Sequence, residues 1–498
     1  MTNVEQAFLS LLRAGIRKEK PDDPELSREE WETLLKLAEA HKLLPLVLDQ
    51  AWSLPSCRAA LRPVGAPVAA HSVRHVPPVS EGRADCPLYC QREPGGQIAR
   101  ATEQREPGGQ IARATEQREP GGQIARATDA SPDWKAAVFD QVGRQALQEN
   151  DFLNLILFLQ RRGLDPVVLK GPFCRLLYPK PWTRPSVDDD LWIPREQAEA
   201  YHAAMLAYGM TPDDPCPDPS TSWNIEYHKP GSPLFVETNQ YLFDPDSEAV
   251  RCFNDPFEKA RERAISRFVQ DVSVKTPAPE DHLLYLILHA FKHFLYSGFG
   301  IRIVTDICLF SLAHKDEVDF YRLFSHCRER RCERFTAAVY QIGEKYLELP
   351  APRPFAETQV DEEALLKDIL CAGLHGETID RIHSSVMTMQ AAADRNREKT
   401  GGLRRSLFPS ASQLKGRFPY LETRPWLLPV AWVSRMWSYG RNRKRFGSQS
   451  PVASLRIGRE RVRLLEQYGV IEGKRSVDPE DHRRGKLPEI CTKNPRGS

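Results

Sequence analysis

Apolar residues follow a helical period near both ends of the chain and a strand-like alternation in a shorter stretch between them. Near the N-terminus, Phe8 and Leu11 fall on one helical face, and Ser27 and Glu30 form a capping box before the next apolar run. From Pro279 onward the helical spacing returns. The pattern therefore predicts helical regions on both sides of a compact mixed segment.

A long helix is predicted to lead into this mixed segment, from Trp134 to Arg161. Helical spacing assigns an apolar set to its inner face: Phe139, Val142, Ala146, Phe152, Ile156 and Leu159.

The mixed segment contains short strands and a glycine turn. Pro166–Leu169 is a valine-rich strand, Gly171 provides a sharp turn, and Pro172 suits the first position of a helix. Residues 222–228 and 234–240 alternate around a Pro-Gly-Ser turn, which predicts a β-hairpin. The expected fold class is α+β, with a small mixed sheet as the core and helical regions on both sides.

These patterns divide the chain into five parts. They are an N-terminal helical region (1–56), a low-complexity insertion (57–132), the mixed-sheet core (133–275), a C-terminal helical region (276–475) and a disordered tail (476–498).

The insertion contains a tandem repeat. The 13-residue unit QREPGGQIARATE starts at Gln91, Gln104 and Gln117, and its last residue in the third copy is Asp129. With one isoleucine per copy, the unit has too few apolar positions to stack as a solenoid. We therefore expect the insertion to be disordered and dispensable for folding.

Composition narrows the function classes only a little. The net charge of +2 gives no global attraction to nucleic acid or membrane, and no stretch has the ~20 apolar residues of a membrane helix. The eleven cysteines include no Cys-x-x-Cys pair, which is typical of a reduced, cytoplasmic protein.

The turn after the first strand is a candidate anion site. A strand, a glycine turn and a helix N-terminus direct free backbone N–H groups and the helix dipole at the turn, and Lys170 adds a positive charge.

Three acidic residues are expected to lie near this turn. Asp188 and Asp190 face the same side of a strand through Val187–Ile193, and Glu237 joins them if its hairpin strand lies alongside. Two carboxylates on one strand face repel each other unless a cation lies between them, and hard oxygen ligands suit Mg²⁺. We expect that loss of either aspartate charge leaves the metal-free protein as stable as before, or slightly more stable.

The lysine-glycine turn, an arginine and the acidic residues follow one another along the chain in an order that resembles a known family. This family is the uncharacterised bacterial nucleotidyltransferases within the DNA polymerase β-like superfamily. The matching motifs are Leu169-Lys170-Gly171, Arg184, Asp188-x-Asp190 followed by apolar residues, and Val236-Glu237. The similarity continues through PEDHLLYLILHAFKHF and RIVTDI, and covers most of the chain outside the insertion.

The resemblance implies an enzyme that moves a nucleoside monophosphate from an NTP to an acceptor hydroxyl. ATP is the expected NTP. The acceptor is a small molecule, a protein or RNA. The implied cofactor is Mg²⁺ or Mn²⁺. The implied site consists of Asp188, Asp190 and Glu237 for metal binding and catalysis, and of Lys170, Gly171 and Arg184 for nucleotide binding.

Two departures from the superfamily pattern keep other functions open. Pro172 stands where a phosphate-binding serine is usual, and Asp189 occupies a normally apolar position. A non-catalytic binding or scaffold protein with the same fold is one alternative, and phosphoryl transfer is another.

Two further sequence features have a structural and a functional interpretation. His289 and His293 lie one helical turn apart, but Ala290 replaces the metalloprotease glutamate, so packing or pocket lining is favoured over a metal site. Residues 441–475 carry ten Lys/Arg against three Glu, and a solvated basic helix is favoured over a nucleic-acid contact.

Overall fold

In the computed structural model, the described residues are 1–61, 133–247, 249–296, 298–374, 424–431 and 463–470. The predicted insertion beyond Leu61, the predicted tail at 476–498 and most of the basic segment at 441–475 lie outside these residues.

The centre of the described structure is a mixed β-sheet of seven strands in the order β3-β4-β5-β2-β1-β7-β6. Strand β1 pairs antiparallel with β2 and parallel with β7, whereas β2 pairs parallel with β5. The predicted hairpin is β4–β5, which is antiparallel. The strands are β1 (Val167–Leu169), β2 (Asp189–Trp192), β3 (Thr211–Pro212), β4 (Asn224–His228), β5 (Phe235–Asn239), β6 (Ile265–Val269) and β7 (Val272–Thr276).

Helices cover the sheet and continue beyond it. They are α1 (Asn3–Arg17), α2 (Arg28–Ala40), α3 (Leu44–Ala51), α4 (Pro55–Ala60), α5 (Trp134–Gln160), α6 (Gly171–Arg175), α7 (Ala198–Ala207), α8 (Pro279–Tyr296), α9 (Ile301–Ala313), α10 (Phe320–Glu329), α11 (Glu333–Leu347), α12 (Arg353–Ala356) and α13 (Glu362–Leu374). The mixed sheet with its many helices confirms the predicted α+β class. Among the described helices, none combines the length and the apolar character of a membrane span.

Alternation along the central strands separates two cores. Val168 and Leu191 point into a core shared with α5 and α7, whereas Leu169 and Trp192 point into a core shared with α8. The second core also contains the N-terminal helices and α9 to α13, so the two helical regions that flank the sheet in sequence share one apolar interior.

Local sequence signals explain several helix boundaries. The predicted capping box is present, because the Ser27 side chain accepts from the Glu30 N–H and Glu30 accepts from the Ser27 N–H. Helix α4 extends past residue 57, the expected start of the insertion, because Cys57 is fully buried in the N-terminal core.

The inner face predicted for the first half of α5 is wrong. Phe139 is 79% exposed and Ala146 is also exposed, whereas Gln145 and Gln148 are buried. Both glutamines bind polar groups of the segment below them, so a polar stripe faces inward at this point. In the second half, Phe152, Ile156 and Leu159 are buried as predicted.

Candidate active site

The turn after β1 holds Lys170 in an uncommon backbone conformation. Its φ of 49° and ψ of −101° lie in a sparsely populated region for a residue with a side chain, which costs about 1–3 kcal/mol. The Lys170 N–H donates to His282 Nε2 at 3.0 Å. Burial lowers the pKa of His282 to about 3, so this imidazole is neutral and its free nitrogen can accept. The hydrogen bond holds the strained turn in place.

The three predicted carboxylates lie together on the α8 side of the sheet. Parallel pairing of β2 with β5 places Asp190 directly opposite Glu237. One carboxylate oxygen from each of Asp188, Asp190 and Glu237 lies within 4.8 Å of the others. This separation falls in the range of about 4–6 Å over which like charges couple strongly, as the strand alternation and the hairpin predicted.

Lys170 completes a charged cluster with these acids. Its Nζ lies 2.7 Å from Asp190 Oδ2 and 4.0 Å from Asp188 Oδ2. The Asp190 side chain is 5% exposed and that of Asp188 is 35% exposed, so the cluster opens toward solvent at Asp188. Because the Lys170–Asp190 pair is buried, loss of the Asp190 charge removes the nearer of the two carboxylates that pair with the ammonium. That either aspartate can be neutralised without loss of stability stays a prediction, and the buried ion pair argues against it at Asp190.

The pKa values of the acids diverge because their surroundings differ. Lys170 lowers the pKa of Asp188, whose burial counteracts this effect. Burial raises the pKa of Asp190 in spite of the attraction of Lys170. Burial, followed by repulsion from Asp190 and Asp188, raises the pKa of Glu237 to about 7. Without a metal ion, Glu237 thus titrates near neutral pH.

Helix α8 contributes the two histidines, His289 and His293, for which the sequence favours packing or pocket lining. Lys170 Nζ donates to His289 Nε2 at 3.3 Å, and His293 Nε2 lies 3.0 Å from the same nitrogen. Burial lowers the pKa of both imidazoles, that of His293 to about 3. Because an ammonium can only donate, His289 Nε2 accepts from Lys170. The histidines line the cluster and orient Lys170, in agreement with the pocket-lining interpretation.

Asp189 points to the opposite side of the sheet. Its Oδ2 accepts from Gln148 Nε2 at 2.9 Å, and its Oδ1, which has no hydrogen-bond partner, lies under the turn. Burial raises the pKa of Asp189 to about 6. A Cβ on Gly171 would lie 2.7 Å from this Oδ1, so the turn and the strand are in close contact here. The extra aspartate is held by α5 and adds no ligand to the cluster.

Arg184 lies in the same region but is held by a different acid. Its Nε and Nη2 donate to the two carboxylate oxygens of Asp306 at 3.1 and 2.6 Å. Asp306 also accepts from the Tyr178 hydroxyl, and Arg184 Nη1 donates to Ser186 Oγ at 2.8 Å. The Arg184 side chain is 4% exposed. Its contact with a nucleotide remains a prediction, since the described contacts of its guanidinium are to protein groups.

Two cations near the acids were missed from sequence. Lys292 on α8 and Arg302 on α9 both interact electrostatically with Asp188. A usable signal was present, because Tyr285, His289 and Lys292 recur at helical spacing on one helix. The sequence does not give the orientation of α8 against the sheet.

The donor set fits a divalent cation. An octahedral Mg²⁺ binds oxygens at about 2.1 Å, so ligands on opposite sides of the ion stand about 4.2 Å apart. The observed oxygen separations of up to 4.8 Å need only small side-chain shifts to match. Three carboxylates without a nitrogen or sulfur donor form a hard ligand set, the kind that Mg²⁺ and Mn²⁺ prefer.

Comparison with known proteins agrees with this geometry. Neither the curated proteins nor the solved structures gave a significant match. A family model described as uncharacterised nucleotidyltransferase matches residues 122–348, which include the whole sheet, the carboxylate cluster and α8. Residues 122–348 are thus similar to the uncharacterised nucleotidyltransferase family.

Proposed function

We propose that this protein is a metal-dependent nucleotidyltransferase that moves a nucleoside monophosphate from an NTP to an acceptor hydroxyl. One observation carries the proposal. Carboxylate oxygens of Asp188, Asp190 and Glu237 lie within 4.8 Å of one another, inside the segment that matches the nucleotidyltransferase family model. A polyphosphate carries several negative charges, so a cation held by these acids is the natural way to bring it to the cluster.

Each residue of the cluster has a separate role in this proposal. Asp188 and Asp190 hold Mg²⁺ or Mn²⁺, and Glu237 completes the metal site or accepts a proton from the acceptor. The metal ion, when bound, supplies positive charge to the phosphate oxygens as the transition state forms. Lys170 balances the buried Asp190 charge and faces the triphosphate together with the turn at Gly171.

The reaction balances with one proton transfer. The acceptor oxygen forms a bond to the α-phosphorus, the bond from the α-phosphorus to the β-bridging oxygen breaks, and pyrophosphate leaves. Glu237 takes the hydroxyl proton in this scheme. A cation at the cluster favours the ionised form of Glu237, the form that can accept this proton.

Label transfer tests the proposal and separates it from phosphoryl transfer. The protein is incubated with Mg²⁺ and either α- or γ-labelled ATP, GTP, CTP or UTP, together with a cell extract as acceptor source. The extract is then separated into small molecules, proteins and RNA. Nucleotidyl transfer moves the α-label to one fraction and releases labelled pyrophosphate from the γ-labelled NTP, whereas phosphoryl transfer moves the γ-label.

The matched variants are Asp188→Asn in the cluster and Asp316→Asn at an exposed position. We expect the first to abolish α-label transfer and the second to leave it unchanged. Absence of both α-label transfer and Mg²⁺-dependent NTP binding in the wild type would refute the proposal.

A second candidate function is a non-catalytic binding protein. Lys170 Nζ, at 2.7 Å from Asp190 Oδ2, supplies a positive charge where a metal ion would otherwise be needed. Calorimetric titration with Mg²⁺ separates the two functions. If Lys170→Met binds Mg²⁺ and the wild type does not, the ammonium replaces the metal and the non-catalytic function is favoured.

A further inference from the structure

The groups first expected to hold a triphosphate are largely engaged by the protein itself. Lys170 contacts Asp190 and His289, and its backbone N–H donates to His282. Pro172 has no N–H to offer. Arg184 is bound to Asp306 through two hydrogen bonds. A triphosphate at this site therefore needs a further cation that is free to bind it.

Lys292 meets this requirement. It lies three residues after His289, on the face of α8 that is turned toward the carboxylates. Its side chain is only partly exposed, and within the described residues it makes no ion pair and no hydrogen bond. A partly buried ammonium without a partner is costly unless something else supplies the negative charge.

The charges around Lys292 connect it to the cluster. Burial lowers its pKa, Lys170 lowers it further, and Asp190, Glu237 and Asp188 raise it. Lys292 therefore interacts electrostatically with all three proposed metal ligands, although none of them lies within ion-pair distance.

Arg302 is the other cation near Asp188, and it is already engaged. Its Nη1 donates to the Pro185 carbonyl at 2.7 Å, which fixes the guanidinium against the segment before β2. Of these two cations, Lys292 is therefore the one whose charged group makes no hydrogen bond or ion pair within the described residues.

We infer that Lys292 binds the triphosphate of the NTP substrate. The inference rests on the proposed function and adds a specific phosphate ligand to it. A lysine suits this role because its ammonium is a compact point charge with three donors. Lys292 would thus bind the phosphate oxygens, whereas the carboxylates would hold the metal ion.

Calorimetry with inorganic triphosphate and each of the four NTPs, in the presence of Mg²⁺, tests the inference. We compare the wild type with Lys292→Met, with Lys292→Arg, and with Lys315→Met, which removes the same charge from an exposed position. Losing one charge-assisted contact should weaken triphosphate binding about 10- to 100-fold in Lys292→Met. Lys292→Arg should recover most of this loss, and Lys315→Met should bind like the wild type.

Two controls isolate the phosphate contact. Thermal unfolding should show that Lys292→Met is at least as stable as the wild type, because an unpartnered buried charge has been removed. If this variant does not fold, Lys292→Gln replaces it. Binding of adenosine, guanosine, cytidine and uridine, which lack phosphate, should be equal in wild type and variant.

The outcomes distinguish failure of the inference from failure of the function. If the wild type binds NTPs with Mg²⁺ and Lys292→Met binds inorganic triphosphate equally well, Lys292 is not the phosphate ligand and the proposed function stands. If the wild type binds neither NTP nor inorganic triphosphate, the proposed function fails and the role of Lys292 with it.

Discussion

Neutralising Glu237 should change how the stability of the metal-free protein depends on pH. The pKa of Glu237 is about 7 in the folded protein, against a usual value of 4.5, because burial and the two aspartates disfavour its charged form. Between these two values the folded state binds more protons than the unfolded state, so the free energy of unfolding falls as pH rises. At about 1.4 kcal/mol per pH unit, the total loss is at most roughly 3 kcal/mol.

Urea unfolding at several pH values between 4 and 8, with a chelator present, measures this effect. Glu237→Gln cannot ionise, so its free energy of unfolding should gain on that of the wild type as pH rises from about 4.5 to 7, by up to roughly 3 kcal/mol. Glu258→Gln removes an exposed carboxylate outside the cluster and should follow the wild type.

Mg²⁺ gives the second arm of the same experiment. A cation at the cluster favours the ionised form of Glu237 and lowers its pKa, so saturating Mg²⁺ should remove the pH dependence that distinguishes wild type from Glu237→Gln. Parallel stability curves for the two proteins in the chelated state would refute the coupling of the three acids. A difference that Mg²⁺ leaves unchanged would refute metal binding by Glu237.

Three other outcomes are expected. Arg184→Met should lose about 3–5 kcal/mol in urea unfolding, because it leaves the buried Asp306 carboxylate without its cation, and the double variant Arg184→Met/Asp306→Leu should recover most of this loss. Asp190→Asn should destabilise the metal-free protein by about 3 kcal/mol, because it removes the nearer carboxylate partner of the buried Lys170 ammonium, whereas Asp188→Asn should destabilise it less, because Asp188 lies 4.0 Å from that ammonium and is partly exposed. Replacing residues 62–132 by a short Gly/Ser linker should leave the thermal unfolding temperature almost unchanged, and a large decrease would show that the repeats belong to the fold.

The convergence of the three acids could be predicted because each step is local. Side chains at positions 188 and 190 of one strand share a face, and a tight hairpin fixes which residues of β5 share a face with Glu237. Only the pairing of β5 with β2 was non-local, and the motif order suggested it. The mixed sheet and the flanking helices followed from the same periodicities.

The polar environment of the acids could not be predicted from these patterns. Contact between Lys170 and His289 spans 119 residues and depends on how α8 is rotated against the sheet, which its periodicity leaves open where the helix is apolar nearly all round. The prediction for α5 failed for a related reason. Gln145 and Gln148 face inward because they satisfy the Ser186 N–H and the Asp189 carboxylate, a requirement that hydrophobic spacing does not reveal.

The turn glycine has a physical explanation that does not require a phosphate. A side chain at position 171 would collide with the Asp189 carboxylate, since a Cβ there would lie 2.7 Å from Oδ1. Gly171 therefore lets the turn approach β2 closely, and this approach, with the His282 hydrogen bond, places the ammonium of Lys170 above Asp190. The three consecutive aspartates divide accordingly: the outer two face the carboxylate cluster with Glu237, and the middle one lies in contact with the turn on the other side of the strand. An additional carboxylate in the strand is thus compatible with an intact site, because its charge is buried away from the cluster and bound by Gln148.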